Sequence, residues 1–171
     1  TLDESQTVPA LVYENTQEGT LRVDPSQELG WVSPEALCTK SVGWGDWDGD
    51  ADLDLALGAR VYENEANRLL LNTRDNYGWN GNIDAQSVAW GDVDGDGDLD
   101  LAVGTWNKNI VFENTGGFLV YAQNGSPKRG WASADIRRTM SVAWGDVDGD
   151  KDLDLAVANA ADYGYQPNQI F

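Results

Sequence analysis

The sequence predicts an all-β protein made of β-propeller blades, each of four antiparallel strands, and two observations lead to this prediction. A nearly identical ten-residue acidic segment occurs at residues 45–54, 91–100 and 145–154, with spacings of 46 and 54 residues. Self-similarity at such a period is typical of propeller blades and solenoids. Around these segments apolar residues alternate with polar or small ones in short runs rich in β-branched and aromatic types, which indicates strands.

The repeat extends well beyond the acidic segment. A Ser-Val-(Gly/Ala)-Trp sequence precedes each copy and a Leu-Ala sequence follows it, and (Tyr/Phe)-Glu-Asn ends a later strand of the first two copies. Each full repeat therefore predicts four strands and no helix. In the middle copy the predicted strands are 87–91, 99–105, 109–114 and 117–122.

These repeats predict a single repeat domain over residues 1–171, an incomplete propeller of about three blade equivalents. Propellers generally need four to eight blades, so we expect completion either by further repeats or by a homo-oligomer joined through exposed sheet edges. The predicted parts are a partial first blade with a connector (1–40), two blades (41–86 and 87–140) and a partial last blade (141–171).

Composition narrows the classes of partner and of chemistry. The 41% hydrophobic content favours a folded module, and the formal charge of -18 disfavours nucleic acid and anionic membranes as partners. No apolar run is long enough for membrane insertion. The chain has no histidine, which removes the usual nucleophilic triads and the HExxH zinc site. The single cysteine, Cys38, is expected to be a small buried hydrophobe.

Five aspartates stand at alternate positions in each acidic segment, and such crowded charges repel one another unless a cation lies among them. We therefore predict three Ca²⁺ sites, because calcium takes six to eight hard oxygen ligands. In the middle loop we expect carboxylate ligands from residues 92, 94, 96 and 100 and a backbone carbonyl from Asp98. Magnesium accepts fewer protein ligands, and zinc prefers His and Cys. The predicted metal-site residues are Asp46, Asp48, Asp50, Asp52, Asp54, Asp92, Asp94, Asp96, Asp98, Asp100, Asp146, Asp148, Asp150, Asp152 and Asp154.

An EF-hand is the nearest competing interpretation of these loops. Its twelfth position requires a bidentate glutamate, but Leu57, Val103 and Val157 stand there, and the flanking segments are typical of strands instead of helices. The glycine-rich nine-residue period of toxin-type calcium solenoids is also absent.

The segment Ser-Val-Ala-Trp-Gly-Asp-Val-Asp-Gly-Asp-Gly-Asp-Leu-Asp-Leu-Ala-Val-Gly at 87–104 resembles the FG-GAP/VCBS-type repeat of integrin α-subunits and bacterial secreted or surface proteins. The resemblance implies calcium in the hairpin between the first two strands of a blade, and commonly an adhesion or ligand-binding role. It implies side-chain ligands at Asp46, Asp48, Asp50 and Asp54 and at the matching positions of the other loops. Ala51 and Lys151 depart from the usual glycine, and the Lys151 ammonium predicts that the third site is weakest.

The tryptophans are the candidate binding residues outside the loops. Trp44, Trp90 and Trp144 recur before each loop and are expected to pack in the core or between blades. A second recurring set follows glycine and is expected to be structural, with exposed stacking platforms as the alternative; it comprises Trp31, Trp79 and Trp131. Two tryptophans that occur in one copy only are better candidates for a surface patch. The predicted ligand-binding residues are Trp47, Trp79 and Trp106.

Two function classes remain open. The first is a non-catalytic, calcium-binding propeller module of a secreted or cell-surface protein that binds a protein or a glycan. The alternative is an accessory or catalytic part of a secreted carbohydrate-active enzyme, which would need a carboxylate pair outside the loops. Because Glu14, Glu63 and Glu113 recur with the strands, they indicate architecture and favour the first class. The only basic cluster indicates a solvated loop or a docking point for an acidic neighbour; it comprises Lys128, Arg129, Arg137 and Arg138.

Overall fold

A computed structural model describes residues 8–15, 20–23, 30–37, 39–58, 60–66, 68–72, 83–121, 130–160 and 167–171 of the chain. These residues form strands and turns, and no helix among them is long and apolar enough to cross a membrane. The strands are β1 (Val8–Val12), β2 (Glu14–Asn15), β3 (Leu21–Arg22), β4 (Trp31–Leu37), β5 (Val42–Gly45), β6 (Asp54–Leu57), β7 (Arg60–Asn64), β8 (Leu69–Leu71), β9 (Ala85–Gly91), β10 (Asp100–Thr105), β11 (Ile110–Asn114), β12 (Leu119–Val120), β13 (Trp131–Ala132), β14 (Thr139–Gly145), β15 (Asp154–Asn159) and β16 (Gln169–Ile170).

The chain divides into two compact units, Thr1–Thr39 and Lys40–Phe171. In the first unit β1 pairs with β4 and β2 with β3, both antiparallel. The second unit contains three antiparallel sheets, here called the first, second and third blades. The first is ordered β5-β6-β7-β8, the second β12-β11-β10-β9 with β13 also on β11, and the third β14-β15-β16. The prediction of an all-β fold with antiparallel sheets is confirmed for the described residues, and the first blade has the four predicted strands. The predicted propeller and the predicted domain boundaries stay predictions.

The outer edge of the second blade is built in two parts, which accounts for the recurring Gly-Trp pair. β12 pairs with the end of β11, and β13 pairs with its beginning. Between them Gly130 has φ +71°, and a Cβ atom there would collide with the carbonyl oxygen of Val111. Gly30 in the first unit has φ +70° and meets the carbonyl oxygen of Val12 in the same way. A residue without a side chain is therefore required before the tryptophan that resumes the outer strand.

The hydrophobic core lies between the blades, since each of its two clusters joins side chains of successive sheets. The buried members of the first cluster are Trp47, Ala56, Val61, Ala85, Val88, Leu101, Val103, Phe112 and Leu119. Those of the second are Ala102, Val111, Val142, Leu155 and Val157. A blade therefore buries its apolar residues against its neighbours, as expected for stacked sheets with alternating side chains.

A serine joins each blade to the next. The backbone N–H of Val88 donates to Ser41 Oγ at 3.1 Å, and the backbone N–H of Val142 donates to Ser87 Oγ at the same distance. The two junctions lie one repeat apart and use the same atoms. The Ser87–Val88 pair of the middle repeat therefore contributes a hydrogen-bond acceptor to one junction and a donor to the other.

A tryptophan completes each junction by lying on a glycine of the preceding blade. Trp144 Nε1 donates to the carbonyl of Ala89 at 3.1 Å, and a Cβ atom built on Gly91 would lie 2.6 Å from Trp144 Cδ1. Trp90 makes the equivalent contact with the first blade, with Nε1 3.2 Å from the carbonyl oxygen of Gly43. Inter-blade packing is confirmed for these two tryptophans. It is wrong for Trp44, which is 47% exposed, because no blade precedes it within its unit.

Candidate metal centres

Each acidic loop connects the first and second strands of a blade. The loops lie between β5 and β6, β9 and β10, and β14 and β15, where the strand pairs end on matching Gly–Asp partners. This is the hairpin that the sequence predicts for the acidic segments. Consequently all five aspartates of a repeat lie at one end of its blade.

The first aspartate of each loop holds the turn through backbone hydrogen bonds. In the first loop Asp46 Oδ1 accepts from the N–H of Gly49 at 2.9 Å, and Oδ2 accepts from the N–H of Ala51 at 3.0 Å. Asp92 and Asp146 make the corresponding pairs of bonds in their loops. The same carboxylate–backbone arrangement in three copies shows that the loop conformation is encoded by the repeat itself.

The sixth position of the loop has a left-handed backbone. φ is +96° at Gly97, +76° at Ala51 and +82° at Lys151. The expectation that Ala51 and Lys151 must tolerate an unusual backbone geometry is therefore confirmed. A residue with a Cβ atom costs roughly 1–2 kcal/mol in this conformation, so the first and third loops carry strain that the second does not.

Three carboxylates converge in every loop. One oxygen from each member lies within 4.8 Å of the others. Calcium binds oxygen at about 2.3–2.6 Å, so two oxygens on one ion are separated by at most about 5 Å, and this spacing fits. The clusters are Asp46, Asp48 and Asp50; Asp92, Asp94 and Asp96; and Asp146, Asp148 and Asp154.

The first loop offers one further sign that its carboxylates are arranged for a cation. Asp48 Oδ1 is buried and has no hydrogen-bond partner among the described residues. A buried polar atom without a partner is costly, and a bound cation would satisfy it. The residues of this loop therefore fit a hard divalent ion both in their chemistry and in their spacing.

The fourth aspartate of each loop lies apart from these clusters. Asp52, Asp98 and Asp152 contribute no carboxylate oxygen to them, and Asp98 Oδ2 instead accepts from the N–H of Gly116 at 3.2 Å. Coordination through their backbone carbonyls stays a prediction.

In the first two loops, the fifth aspartate has a structural role that the sequence did not predict. Asp100 is fully buried, and its two carboxylate oxygens accept from the N–H groups of Val93 at 2.8 Å and Asn114 at 2.7 Å. Asp54 is bound in the same manner by the N–H groups of Trp47 and Asn64. These carboxylates fasten the loop to the end of the third strand. The recurring Glu-Asn strand end was the signal that could have predicted this contact.

Burial changes the acidity of these two fastening residues. It raises the pKa of Asp100 to about 6, against the lowering effect of its two backbone hydrogen bonds, and the charges of Asp94 and Asp96 raise it further. Burial likewise raises the pKa of Asp54. Because a buried carboxylate without a counter-charge is unfavourable, the loops favour a proton or a cation nearby.

The predicted ligand-binding tryptophans differ in their exposure. The prediction that Trp47 lies in a surface patch is wrong, because its side chain is 1% exposed in the first core cluster and its carbonyl accepts from Asn114 Nδ2. The acidic loop of the first blade packs against the second blade, and this packing buries Trp47. Trp79 lies outside the described residues.

Trp106 is exposed, as predicted, and two cationic side chains lie over its ring. Its side chain is 42% exposed, with Lys40 Nζ 4.6 Å and the Arg138 guanidinium carbon 4.2 Å from a ring centroid. Arg137, next in the predicted basic cluster, pairs with Asp135 at 3.0 Å. Lys128 and Arg129 lie outside the described residues.

The second unit thus contains antiparallel sheets that each carry an acidic hairpin between their first two strands, an arrangement consistent with propeller-like repeats. Residues 92–157, from the second acidic loop into β15, match the family model described as FG-GAP-like repeat. The predicted resemblance to this family is confirmed for that segment. No curated protein and no solved structure gives a significant match to the chain.

Proposed function

We propose that this chain is a non-catalytic, calcium-stabilised propeller module of a secreted or cell-surface protein that binds a protein or a glycan. The observation that carries the proposal is the set of three acidic loops at the same place in successive blades, each of which brings three carboxylates together. The first and second aspartates belong to the cluster in every loop. The match to the FG-GAP-like repeat supports a module of this kind and an extracellular location.

Calcium is the cation that the donor set favours. Every converging group is a carboxylate, and no histidine exists in the chain to favour zinc. Bound calcium would supply the positive charge that compensates the repulsion among the carboxylates of one hairpin. Asp48, Asp94 and Asp148, the second aspartates of the three clusters, would be ligands in every loop.

The third loop is proposed as the weakest of the three sites. Asp146 and Asp148 are exposed there, whereas Asp46 and Asp48 in the first loop are half-buried. Exposed charges interact through a higher effective dielectric, and the nearby Lys151 ammonium opposes a cation. Calcium should therefore fill the first two loops before the third.

The calcium proposal is tested by differential scanning calorimetry and isothermal titration with CaCl₂, MgCl₂ and a chelator. We expect three calcium ions per chain and a higher melting temperature in calcium, since a ligand at 100 times its Kd stabilises by about 2.7 kcal/mol per site. Asp48→Asn, Asp94→Asn and Asp148→Asn should each remove one site. Asp135→Asn, an acid outside the loops, is the matched control and should bind three. A melting temperature that does not respond to the chelator would contradict the proposal.

The architectural use of the buried acids supports a non-catalytic role. Asp54 and Asp100 each accept two backbone hydrogen bonds and fasten a loop to a strand, so their burial has a structural explanation. Turnover of any polysaccharide by the purified chain would overturn this part of the proposal.

Trp106 is the proposed contact for the ligand. Lys40, which also pairs with Asp84, and Arg138 both lie over this exposed ring, so the patch combines aromatic surface with positive charge, which suits an acidic sugar or an acidic protein segment. Glycan-array binding in calcium should fall at least tenfold in Trp106→Ala. Phe118→Ala, which removes a similarly exposed aromatic ring elsewhere, should leave binding unchanged. Equal binding by both variants would exclude Trp106 from the ligand site.

A further inference from the structure

Both blade junctions of the second unit are built from two complementary halves. The accepting half is a serine Oγ, a backbone carbonyl two residues later and a glycine two residues after that. The donating half is the valine N–H and the tryptophan of the following repeat. Ser87, Ala89 and Gly91 thus receive Val142 and Trp144, and the preceding junction uses the equivalent atoms.

The accepting half recurs on the third blade, where nothing covers it among the described residues. Ser141, Ala143 and Gly145 are exposed, whereas Gly45 and Gly91 are buried. A Cβ atom built on Gly145 would meet nothing within 4 Å, although the same atom on Gly91 would lie 2.6 Å from a tryptophan ring. Val147 is 64% exposed on this face, at the position where the first loop has buried Trp47.

The donating half recurs on the first blade, where its side chains are exposed among the described residues of the second unit. Trp44 is 47% exposed and Val42 is 57% exposed. The loop residue Leu53 is exposed as well, whereas its counterpart Leu99 reaches the preceding blade and would lie 2.9 Å from a Cβ atom on Gly45. The second unit thus presents both halves of its own junction on separate surfaces.

We propose that the Trp44 surface of one copy of this chain docks on the Gly145 surface of a second copy. Trp44 would lie over Gly145 and donate from Nε1 to the Ala143 carbonyl, and the Val42 N–H would donate to Ser141 Oγ. A second copy is the occupant because this chain carries the complementary half, with the same residue types that form both internal junctions. The contact is head-to-tail, so it closes a ring if the rotation permits and extends into a filament otherwise.

This inference does not rest on calcium or on a ligand, and sedimentation velocity with multi-angle light scattering tests it. Wild type should self-associate with increasing concentration, and Trp44→Ala and Gly145→Val should each be monomeric. Gly145→Val adds a side chain where the structure has open space, so it should retain the wild-type melting temperature. Phe118→Ala, the control, should associate like wild type.

Mixing the two monomeric variants gives the sharpest result. Trp44→Ala retains the accepting surface and Gly145→Val retains the donating surface, so the mixture should form a 1:1 heterodimer that cannot extend. A mixture that stays monomeric would overturn the head-to-tail contact. Wild type should also be measured over a roughly 100-fold range of concentration up to its solubility limit. If it is monomeric throughout, a second copy is not the occupant. That result would indicate that a neighbouring repeat of the same polypeptide covers this face.

Discussion

Gly91 and Gly145 occupy the same position in successive repeats, but only Gly91 is covered by a tryptophan. The same substitution, glycine to alanine, should therefore have different consequences at the two positions. At Gly91 the added Cβ atom would lie 2.6 Å from Cδ1 and 2.9 Å from Cγ of Trp144. At Gly145 it would meet nothing within 4 Å.

The expected magnitude follows from the contact that must give way. Overpacking a well-packed interface by one carbon typically costs about 1–3 kcal/mol. A ring that moves aside also weakens the hydrogen bond from Trp144 Nε1 to the Ala89 carbonyl, worth about 1 kcal/mol. Replacing glycine by alanine restricts the unfolded chain and offsets about 0.4–1 kcal/mol of this loss. Gly91→Ala should thus lower the free energy of unfolding by about 1–3 kcal/mol, and Gly145→Ala should leave it unchanged or slightly raised.

This difference is measured by urea denaturation of both variants in calcium, with tryptophan fluorescence as the signal. The protein concentration is kept where the chain is monomeric. The near-ultraviolet circular dichroism of Gly91→Ala should also change, because the environment of the Trp144 ring changes. Equal stability of the two variants would refute the interpretation that a tryptophan seated on a glycine holds successive blades together.

Other predictions concern the loops. Asp54→Asn should lower the free energy of unfolding by about 1–3 kcal/mol in urea denaturation, because it removes a carboxylate that accepts two backbone hydrogen bonds. Asp52→Asn should change this free energy little. Equal effects of the two substitutions would contradict the role of Asp54 in holding the loop to the third strand. Lys151→Gly and Ala51→Gly should both raise the free energy of unfolding by up to about 1 kcal/mol, because glycine adopts the left-handed backbone without strain. In a calcium titration, only Lys151→Gly should lower the Kd of its own loop, because it also removes a positive charge. In excess chelator, the pKa of Asp100 lies at about 6 in the folded chain and near 3.8 in the unfolded chain, so the folded state holds the proton more tightly. Its contribution to stability is full below about pH 4 and is lost as the pH rises through about 6, a change of about 3 kcal/mol at most that Asp100→Asn should abolish.

Local patterns predicted the blades well. The alternation of apolar residues placed the strands of the middle repeat close to β9, β10, β11 and β12, since each pattern is decided within a few residues of chain. The hairpin position of the acidic loops followed from the same pattern. The family resemblance was likewise carried by residues contiguous in sequence.

Whether a neighbouring blade covers a given residue could not be predicted in this way. Trp44 was expected inside and is exposed, whereas Trp47 was expected outside and is buried. In both cases the outcome depends on whether a neighbouring blade covers the face on which the residue lies, and a repeat alignment does not contain that information. The fastening role of Asp100 was missed for a related reason, because its partner Asn114 lies fourteen residues away on another strand.

The location of the core between the blades bears on how such a chain can evolve. Each repeat carries both the tryptophan that docks on its predecessor and the glycine that receives its successor. A tandem duplication of the corresponding gene segment therefore creates a new blade together with a compatible junction, without any compensating change elsewhere. Repeats can then diverge through the connections between their strands, as the spacings of 46 and 54 residues show, while the junction residues recur in every copy.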